Sequence, residues 1–310
     1  MGNLLEVNNL FKNFGSLKAV NDLSFQVQEG DVYGFLGQNG AGKSTSIRML
    51  LTLIKPTSGQ IKIFGKPLHE NRAEILQQVG AVIERPDLYK FLSAYDNLSI
   101  FARLSGMKLS RKVLMEKLDR VGLADRSGSK VKTYSQGMNQ RLGIAVALVH
   151  DPKLIILDEP TNGLDPQGIA DMRKLIISLS KKQGKTVIVS SHLLSEIEQV
   201  ANRMIIIHKG KKIIEGEVAT LLNPEDTIVE LSTVNNPATL SMLQQSDWAP
   251  KIILTHPAIK LKMNEKHIPE LTNWLVTHNA AILAIKPVHS LEDYFLNLTN
   301  PATHVEPVTN

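Results

Sequence analysis

The chain has 310 residues, of which 43% are hydrophobic and 21% charged. This composition excludes a disordered or fibrous protein, and the length predicts about two domains. The absence of cysteine excludes a disulfide framework and thiolate metal sites, and no apolar run approaches the ~20 residues of a membrane-spanning helix. The formal charge of +5 permits nucleic acid, an anionic membrane face or a nucleotide as neighbour and does not discriminate among them.

Strands and helices alternate over the first two thirds of the chain. Apolar and alternating runs predict strands at 4–10, 19–27, 31–36, 61–64, 79–84, 154–157 and 186–190, and a hairpin at 203–208 and 211–215. Helical patterns are predicted at 43–54, 94–104, 111–121, from 135 to 148, 168–182 and 193–201. This alternation predicts an α/β fold with a largely parallel sheet.

The pattern restarts after a linker at Asn223 and Pro224. Strands are predicted at 227–231, 251–254, 259–263 and 281–285, and helices at 237–245, 268–276 and 291–298. The order strand-helix-strand-strand-helix-strand predicts a small α+β, ferredoxin-like domain. We therefore predict domains at 1–222 and 223–299 and a disordered polar tail at 300–310.

The strongest local signal lies between an apolar strand and a helix, and it fits the phosphate-binding P-loop pattern. Its members are Gly37, Gln38, Asn39, Gly40, Ala41, Gly42, Lys43, Ser44 and Thr45. Glycines allow the backbone to wrap around phosphate oxygens, and the following helix adds the positive end of its dipole. We predict that Lys43 reaches the terminal phosphates and that the Ser44 hydroxyl binds Mg²⁺.

A second signal is the apolar run 154–157, which is followed directly by Asp158 and Glu159. Ligands of open α/β sheets bind at the carboxyl ends of the strands, where these two acids fall. We predict that Asp158 holds Mg²⁺ and that Glu159 is the general base for the attacking water.

Three further pieces follow in a fixed order: Tyr134 to Met138 at the start of a helix, Gly163-Leu164-Asp165, and His192 after a strand. With them the sequence from about residue 4 to 217 resembles the ATP-binding subunits of ABC transporters. Residues 134–138 lie where that family keeps its signature sequence, 163–165 match its D-loop, and His192 matches its switch histidine.

The resemblance implies a P-loop NTPase fold, ATP and Mg²⁺ as cofactors, and two subunits packed head to tail. Each ATP would lie between the P-loop of one subunit and the signature of the other, with Ser135 and Gly137 facing the γ-phosphate. Asp165 would belong to the same nucleotide site, and His192 would contact the γ-phosphate. Phe14 occupies the position where the family stacks an aromatic ring on adenine.

Two departures from the family pattern stand out. Glu84 occupies the place of the usual Q-loop glutamine, where it would still bind Mg²⁺ or water, and Tyr134, Gln136 and Met138 alter the signature. Both changes resemble exporters of peptide antibiotics, of the bacitracin and lantibiotic kind. That subgroup also has a small C-terminal domain ending like residues 290–295 of this chain.

The resemblance implies an ATPase that energises export through a separate membrane permease, onto which the aromatic-rich segment 86–92 would dock. The exported substrate would be a peptide antibiotic, a drug or a lipid. The chain would lie at the cytoplasmic face of the membrane as a homodimer when ATP is bound, without a signal peptide and with no nucleic acid as partner. The alternative is a soluble ABC ATPase of translation or DNA repair, against which the single P-loop and the absence of cysteine and heptad repeats argue.

Overall fold

The computed structural model describes residues 2–84, 86–222, 227–256 and 258–289, which form two units divided after Val218. The strands of the first unit are β1 (Asn3–Phe14), β2 (Leu17–Gln28), β3 (Val32–Leu36), β4 (Ser58–Ile63), β5 (Lys66–Pro67), β6 (Val79–Val82), β7 (Leu154–Asp158), β8 (Thr186–Ser191), β9 (Arg203–His208) and β10 (Lys211–Glu217). Its helices are α1 (Lys43–Leu50), α2 (Arg72–Leu76), α3 (Ala94–Leu104), α4 (Arg111–Arg120), α5 (Gln136–Ala147), α6 (Pro166–Lys181) and α7 (Leu194–Glu198), and α8 (Val218–Leu221) crosses the division.

Two sheets build the first unit. The larger has the order β10-β9-β3-β8-β7-β6 and is parallel except for β10, and the smaller, β2-β1-β4-β5, is antiparallel. Apolar side chains of both sheets and of α1 share one core, including Leu5, Val7, Phe35, Ile47 and Ile156. The predicted α/β fold is confirmed.

The register of the parallel strands brings the predicted nucleotide motifs to one edge. Leu36 pairs with Ser191, and Asp158 pairs with Ser190. The chain continues from β3 directly into the P-loop, whose first amide, Gly37 N, donates to Ser191 O at 3.2 Å. The P-loop and the two acids are therefore held beside one another by backbone pairing.

Several predicted boundaries differ from the structure because the backbone turns earlier than the hydrophobic pattern ends. The helix predicted to end near Ile54 ends at Leu50, since Thr52 adopts a left-handed φ of 58° and Leu53 N donates back to Arg48 O. The strand predicted at 79–84 ends at Val82, and Glu84 has a φ of 55°. The helix predicted at 193–201 is confined to α7, and the short elements α2 and β5 were not predicted.

The second unit contains β11 (Thr227–Thr233), α9 (Asn236–Gln244), β12 (Ile252–Leu254), β13 (Ile259–Met263), α10 (Ile268–Thr277) and β14 (Ile282–His289). Its antiparallel sheet has the order β12-β13-β11-β14, which is the ferredoxin-like arrangement predicted for this domain. Alternate residues of β11, such as Val229 and Leu231, pack with Leu271 and Leu275 of α10 in one core. The predicted linker at 223–224, the helix at 291–298, the motif at 290–295 and the tail lie outside the described residues.

Within the described ranges no helix is both long enough and apolar enough to cross a membrane.

The segment that precedes α3 is held by a fully buried amide, Asn97. Its Oδ1 accepts from Tyr89 N at 2.8 Å, and its Nδ2 donates to Tyr89 O at 3.0 Å and to Ser93 O at 2.9 Å. Ser93 also caps α3 and forms a capping box with Asp96. One side chain therefore satisfies three backbone groups and fixes the exposed loop to the helix behind it.

We expect Asn97→Ala to lower the free energy of unfolding by about 3 kcal/mol, because it leaves buried backbone groups unpaired. Urea unfolding followed by circular dichroism measures this loss. Chymotrypsin should also cleave faster at Tyr89 and Phe91. Ser99→Ala, on the same helix and without a described side-chain hydrogen bond, is the matched control. Unchanged stability together with an unchanged cleavage rate would contradict this role for Asn97.

Candidate functional site

The P-loop needs glycine at two positions for steric reasons. A Cβ on Gly37 would lie 2.7 Å from Ile207 O, and one on Gly42 would lie 2.6 Å from Ala19 O. Gly42 also has a φ of 106°, which side chains disfavour, and it is the N-cap of α1 without a side-chain cap. The first amides of α1 are therefore left without a capping side chain, as anion binding at a helix N-terminus requires.

Lys43 is the charged centre of the site. Its side chain is only 4% exposed. The ammonium donates to Gly37 O at 2.6 Å and to Gln38 O at 3.3 Å, and it lies 3.1 Å from Glu159 Oε1. A buried ammonium held among carbonyl oxygens and one carboxylate can exchange these acceptors for phosphate oxygens.

Asp158 has the properties of a cation ligand. It is almost completely buried, the Ser190 hydroxyl donates to its Oδ1, and its Oδ2 has no hydrogen-bond partner among the described residues. An unpartnered buried carboxylate oxygen is costly unless a cation meets it, so Asp158 fits Mg²⁺. The described residues contain no group of three or more His, Asp or Glu that could hold a metal. The remaining ligands would be the Ser44 hydroxyl, phosphate oxygens and water.

Glu159 is aimed by its backbone. Its φ is 48°, a left-handed conformation that costs a residue with a side chain on the order of 1 kcal/mol. Glu159 N donates to Ser190 Oγ at 2.9 Å, and Asn162 Nδ2 donates to Glu159 Oε2 at 3.4 Å. The Ser190 hydroxyl therefore contacts both acids: it donates to the side chain of Asp158 and accepts from the main-chain amide of Glu159.

His192 lies beside the same carboxylate. Its Nδ1 is 3.3 Å from Glu159 Oε2, without the alignment of a hydrogen bond, and this buried nitrogen has no hydrogen-bond partner in the described part of the chain. The structure thus brings together Lys43, Asp158, Glu159 and His192, as the motifs predict.

Three positioning residues of this site were not predicted: Ser190, Ser191 and Glu196. The Glu196 carboxylate accepts from the Ser191 hydroxyl at 2.6 Å and from the Thr161 hydroxyl at 2.8 Å. It thereby joins the end of β8 to the loop that follows Glu159. The two adjacent serines at the end of a buried strand were the available signal, since hydroxyls there must find partners.

The signature and D-loop residues act as helix caps within the chain. Ser135 Oγ accepts from Met138 N at 3.2 Å and starts α5, and Asp165 Oδ1 accepts from Gly168 N at 2.8 Å and starts α6. Gln136 Nε2 donates to Asn162 O at 2.9 Å, which ties the two segments together. No described contact joins Ser135 or Gly137 to Lys43 of the same chain.

Phe14 and Glu84 lie at the surface. Phe14 is 48% exposed, and the Lys12 ammonium lies 4.9 Å from its ring centroid. Glu84 is 61% exposed and pairs with Arg48 of α1, with an Nη2 to Oε1 distance of 2.5 Å. The Phe14 side chain is thus about half exposed, whereas the described contact of Glu84 is with Arg48 and not with Asp158 or Glu159.

A P-loop, a buried acid that fits Mg²⁺ and a second acid beside a histidine define a P-loop nucleotide hydrolase. The family model described as "ABC transporter" matches residues 20–162. Bacitracin transport ATP-binding protein BcrA of Bacillus licheniformis is 43% identical over 98% of this chain and 99% of its own. Lantibiotic transport ATP-binding protein SrtF of Streptococcus pyogenes is 44% identical over 69% of this chain and 91% of its own.

Solved structures agree with this assignment. CbiO1 of Clostridium perfringens, part of the transporter complex cbiONQ, has a TM-score of 0.64 and 29% identity, covering 71% of this chain and 90% of its own. The dimeric cassette MJ0796, bound to ADP and Pi in a post-hydrolysis state, has a TM-score of 0.63 and 26% identity, covering 69% and 98%. This chain belongs to the ATP-binding proteins of ABC transporters. It is an ATPase that uses ATP with Mg²⁺.

We expect Glu159→Gln to keep ATP binding and to lower the turnover rate by about 10²-fold or more, because it removes the carboxylate predicted to be the general base while Lys43 remains. Phosphate release and equilibrium binding of ATP measure the two effects separately. Glu217→Gln, an exposed carboxylate on β10, is the control for loss of one charge. A Glu159→Gln protein that hydrolyses ATP at the parental rate would contradict the assignment. Lys43→Ala should instead weaken nucleotide binding itself.

Proposed function

We propose that this chain energises the export of a peptide antibiotic of the bacitracin or lantibiotic class through a separate membrane permease. The observation that carries the proposal is its 43% identity to a bacitracin transport subunit, because that match extends over nearly the whole length of both chains. The two departures at Glu84 and in the signature support the same subgroup. The soluble translation or repair ATPase is not favoured, since these relatives are named for transport.

The chemistry follows from the contacts of the site. Lys43 and the amides at the start of α1 bind the phosphates. Ser44 and Asp158 would hold Mg²⁺, which would supply positive charge against the developing charge of the phosphate. Glu159, fixed by its backbone and by Asn162, accepts a proton from the attacking water. His192 contacts the γ-phosphate from the other side of that carboxylate. Phe14 stacks on the adenine ring.

The second half of each nucleotide site comes from another subunit. In support, Ser135 and Gly137 begin α5, whose N-terminus suits a γ-phosphate, yet they make no described contact with Lys43 of their own chain. The related cassette MJ0796 is dimeric with nucleotide bound. ATP therefore joins two copies head to tail, and hydrolysis removes the shared charge that holds them. Asp165 lies in the same interface.

The permease docks on the surface formed by Tyr89, Phe91 and Leu104. In support, these large apolar side chains are 51%, 77% and 71% exposed. Asn97 holds this loop against α3, so the docking surface is rigid. Glu84 shortly precedes Tyr89 in the sequence and pairs with Arg48 of α1, the helix that follows the P-loop. This pairing suits a role in transmitting changes at the nucleotide site to the permease. Docking places the chain at the cytoplasmic face of the membrane.

A mixing experiment tests the head-to-tail dimer. Lys43→Ala and Ser135→Arg proteins should each be inactive alone, whereas their mixture regains activity, because both lesions fall in one site of the mixed dimer. Up to about half of the mixed chains pair this way and each such dimer keeps one intact site, so roughly a quarter of parental activity is the upper limit. Activity that never exceeds the sum of the separate proteins, together with a cross-link from Ser135 to Lys43 of its own chain, would contradict the dimer.

Resistance measurements test the exported substrate. A sensitive strain that produces this chain with the permease that copurifies with it should tolerate several-fold more bacitracin or lantibiotic. Replacing Glu159 by Gln should abolish the gain, and the Glu217→Gln control should keep it. Unchanged sensitivity to both antibiotics, with ATPase activity intact in the purified complex, would overturn the substrate class while leaving the ATPase assignment standing.

A further inference from the structure

A polar cavity of about 370 Å³ lies in the first unit on the side away from the nucleotide site. Lys117 and Arg120 of α4 line it, together with Glu116, Asp151 and Lys185. Asp151 lies shortly before the first residue of β7, and Lys185 directly precedes the first residue of β8. Asp158 and Ser190 lie at the carboxyl ends of β7 and β8, and the P-loop follows the neighbouring β3, so the cavity is separate from the ATP site.

Positive charge in this cavity is incompletely paired. The Lys185 ammonium pairs with Asp151 at 2.8 Å. The half-buried Lys117 donates to Leu148 O at 3.2 Å, although an ammonium has three donors. Within the described residues neither Lys117 nor Arg120 forms an ion pair, and Glu116 at the rim forms none with them. The Asp151 charge acts on Lys117, Arg120 and Lys185 alike, so three cationic groups share this carboxylate and that of Glu116, and the lining keeps an excess of one positive charge.

The titration of the neighbouring groups agrees with this geometry. Burial lowers the pKa of Lys117; the Asp151 charge opposes that shift, and the charges of Arg120 and Lys185 add to it. Burial also lowers the pKa of His150, and the charges of Lys117 and Lys185 contribute to the decrease. An anion placed among these groups would relieve their mutual repulsion.

We propose that this cavity binds a small phosphate-bearing anion and thereby ties α4 to the N-terminal edge of the parallel sheet. The ammonium groups of Lys117 and Lys185 and the guanidinium group of Arg120 match a doubly charged phosphate, which accepts several hydrogen bonds at once. The cavity is larger than a phosphate ion, and Val113 lines it beside the polar groups. A phosphate ester with a short organic group therefore suits the cavity better than the bare ion.

Binding has a structural consequence, because α4 packs on α3 and α5, and its Lys117 and Arg120 line the same cavity as Lys185, which directly precedes β8. A bound anion would join Lys117 and Arg120 of α4 to Lys185 at the start of β8. It would restrain the helix relative to the strands that carry Asp158 and Ser190. Hydrogen exchange of the α4 amides should therefore become slower when the anion is bound.

Calorimetric titration tests the site in the Lys43→Ala protein, which weakens competing binding at the P-loop. Inorganic phosphate and glycerol 3-phosphate are the two probes. We expect glycerol 3-phosphate to bind more tightly and Lys117→Met to weaken it at least ~tenfold, as loss of one charge-assisted hydrogen bond implies. Equal affinity for both probes would identify the inorganic ion as the ligand. Lys117→Arg keeps the charge and should keep most of the affinity.

Lys112→Met, an exposed position on the same helix with the same change in charge, is the matched control and should bind as its parent does. Thermal unfolding of each variant verifies that it is folded, and exchange of the α4 amides is measured with and without glycerol 3-phosphate. The proposal is overturned if neither probe binds at a concentration of about 10 mM. A Kd weaker than this corresponds to a binding free energy of less than roughly 3 kcal/mol. The proposal is equally overturned if Lys117→Met has no effect, or if Lys112→Met weakens binding as much.

Discussion

The register of three parallel strands is the constraint on which the nucleotide site depends. Because β8 pairs with β3 on one side and with β7 on the other, Ser190 and Ser191 lie between the P-loop and the two acids. Backbone pairing sets the separation of these groups, and the hydroxyl of Ser190 then contacts both acids. A shift of one residue in either pairing would turn Asp158 or Ser190 to the opposite face of the sheet. The arrangement of the P-loop and the two acids thus depends on the strand register as well as on the loops themselves.

The buried charges of the site are balanced unequally. Lys43 is buried, and its ammonium is compensated by two backbone carbonyls and by Glu159. Asp158 is buried too, but one of its oxygens lacks a partner within the described ranges. The protein therefore compensates its own buried cation internally and leaves one anionic oxygen for a metal. Such an arrangement favours a ligand that brings metal and phosphate together.

The sequence was informative wherever function depends on a short contiguous segment. The P-loop, the acids at 158 and 159 and the ferredoxin-like order of the second unit could all be predicted, because glycine placement and hydrophobic periodicity encode them locally. Contacts between distant segments could not. Nothing near Glu196 indicates that it accepts from Ser191 and Thr161, and nothing near Glu84 indicates Arg48. The early ends of α1 and β6 were missed because left-handed turns at Thr52 and Glu84 interrupt apolar patterns that continue beyond them.

The left-handed backbone at Glu159 has a consequence for how this protein can change. Glycine or asparagine would occupy that conformation with less strain than glutamate does. The backbone at this position therefore disfavours the glutamate that occupies it. A screen for thermal tolerance alone would therefore accumulate replacements there and discard the carboxylate that we propose as general base. Stabilised descendants of this ATPase should retain nucleotide affinity through Lys43 while losing turnover, which makes heat resistance a poor guide to working transport.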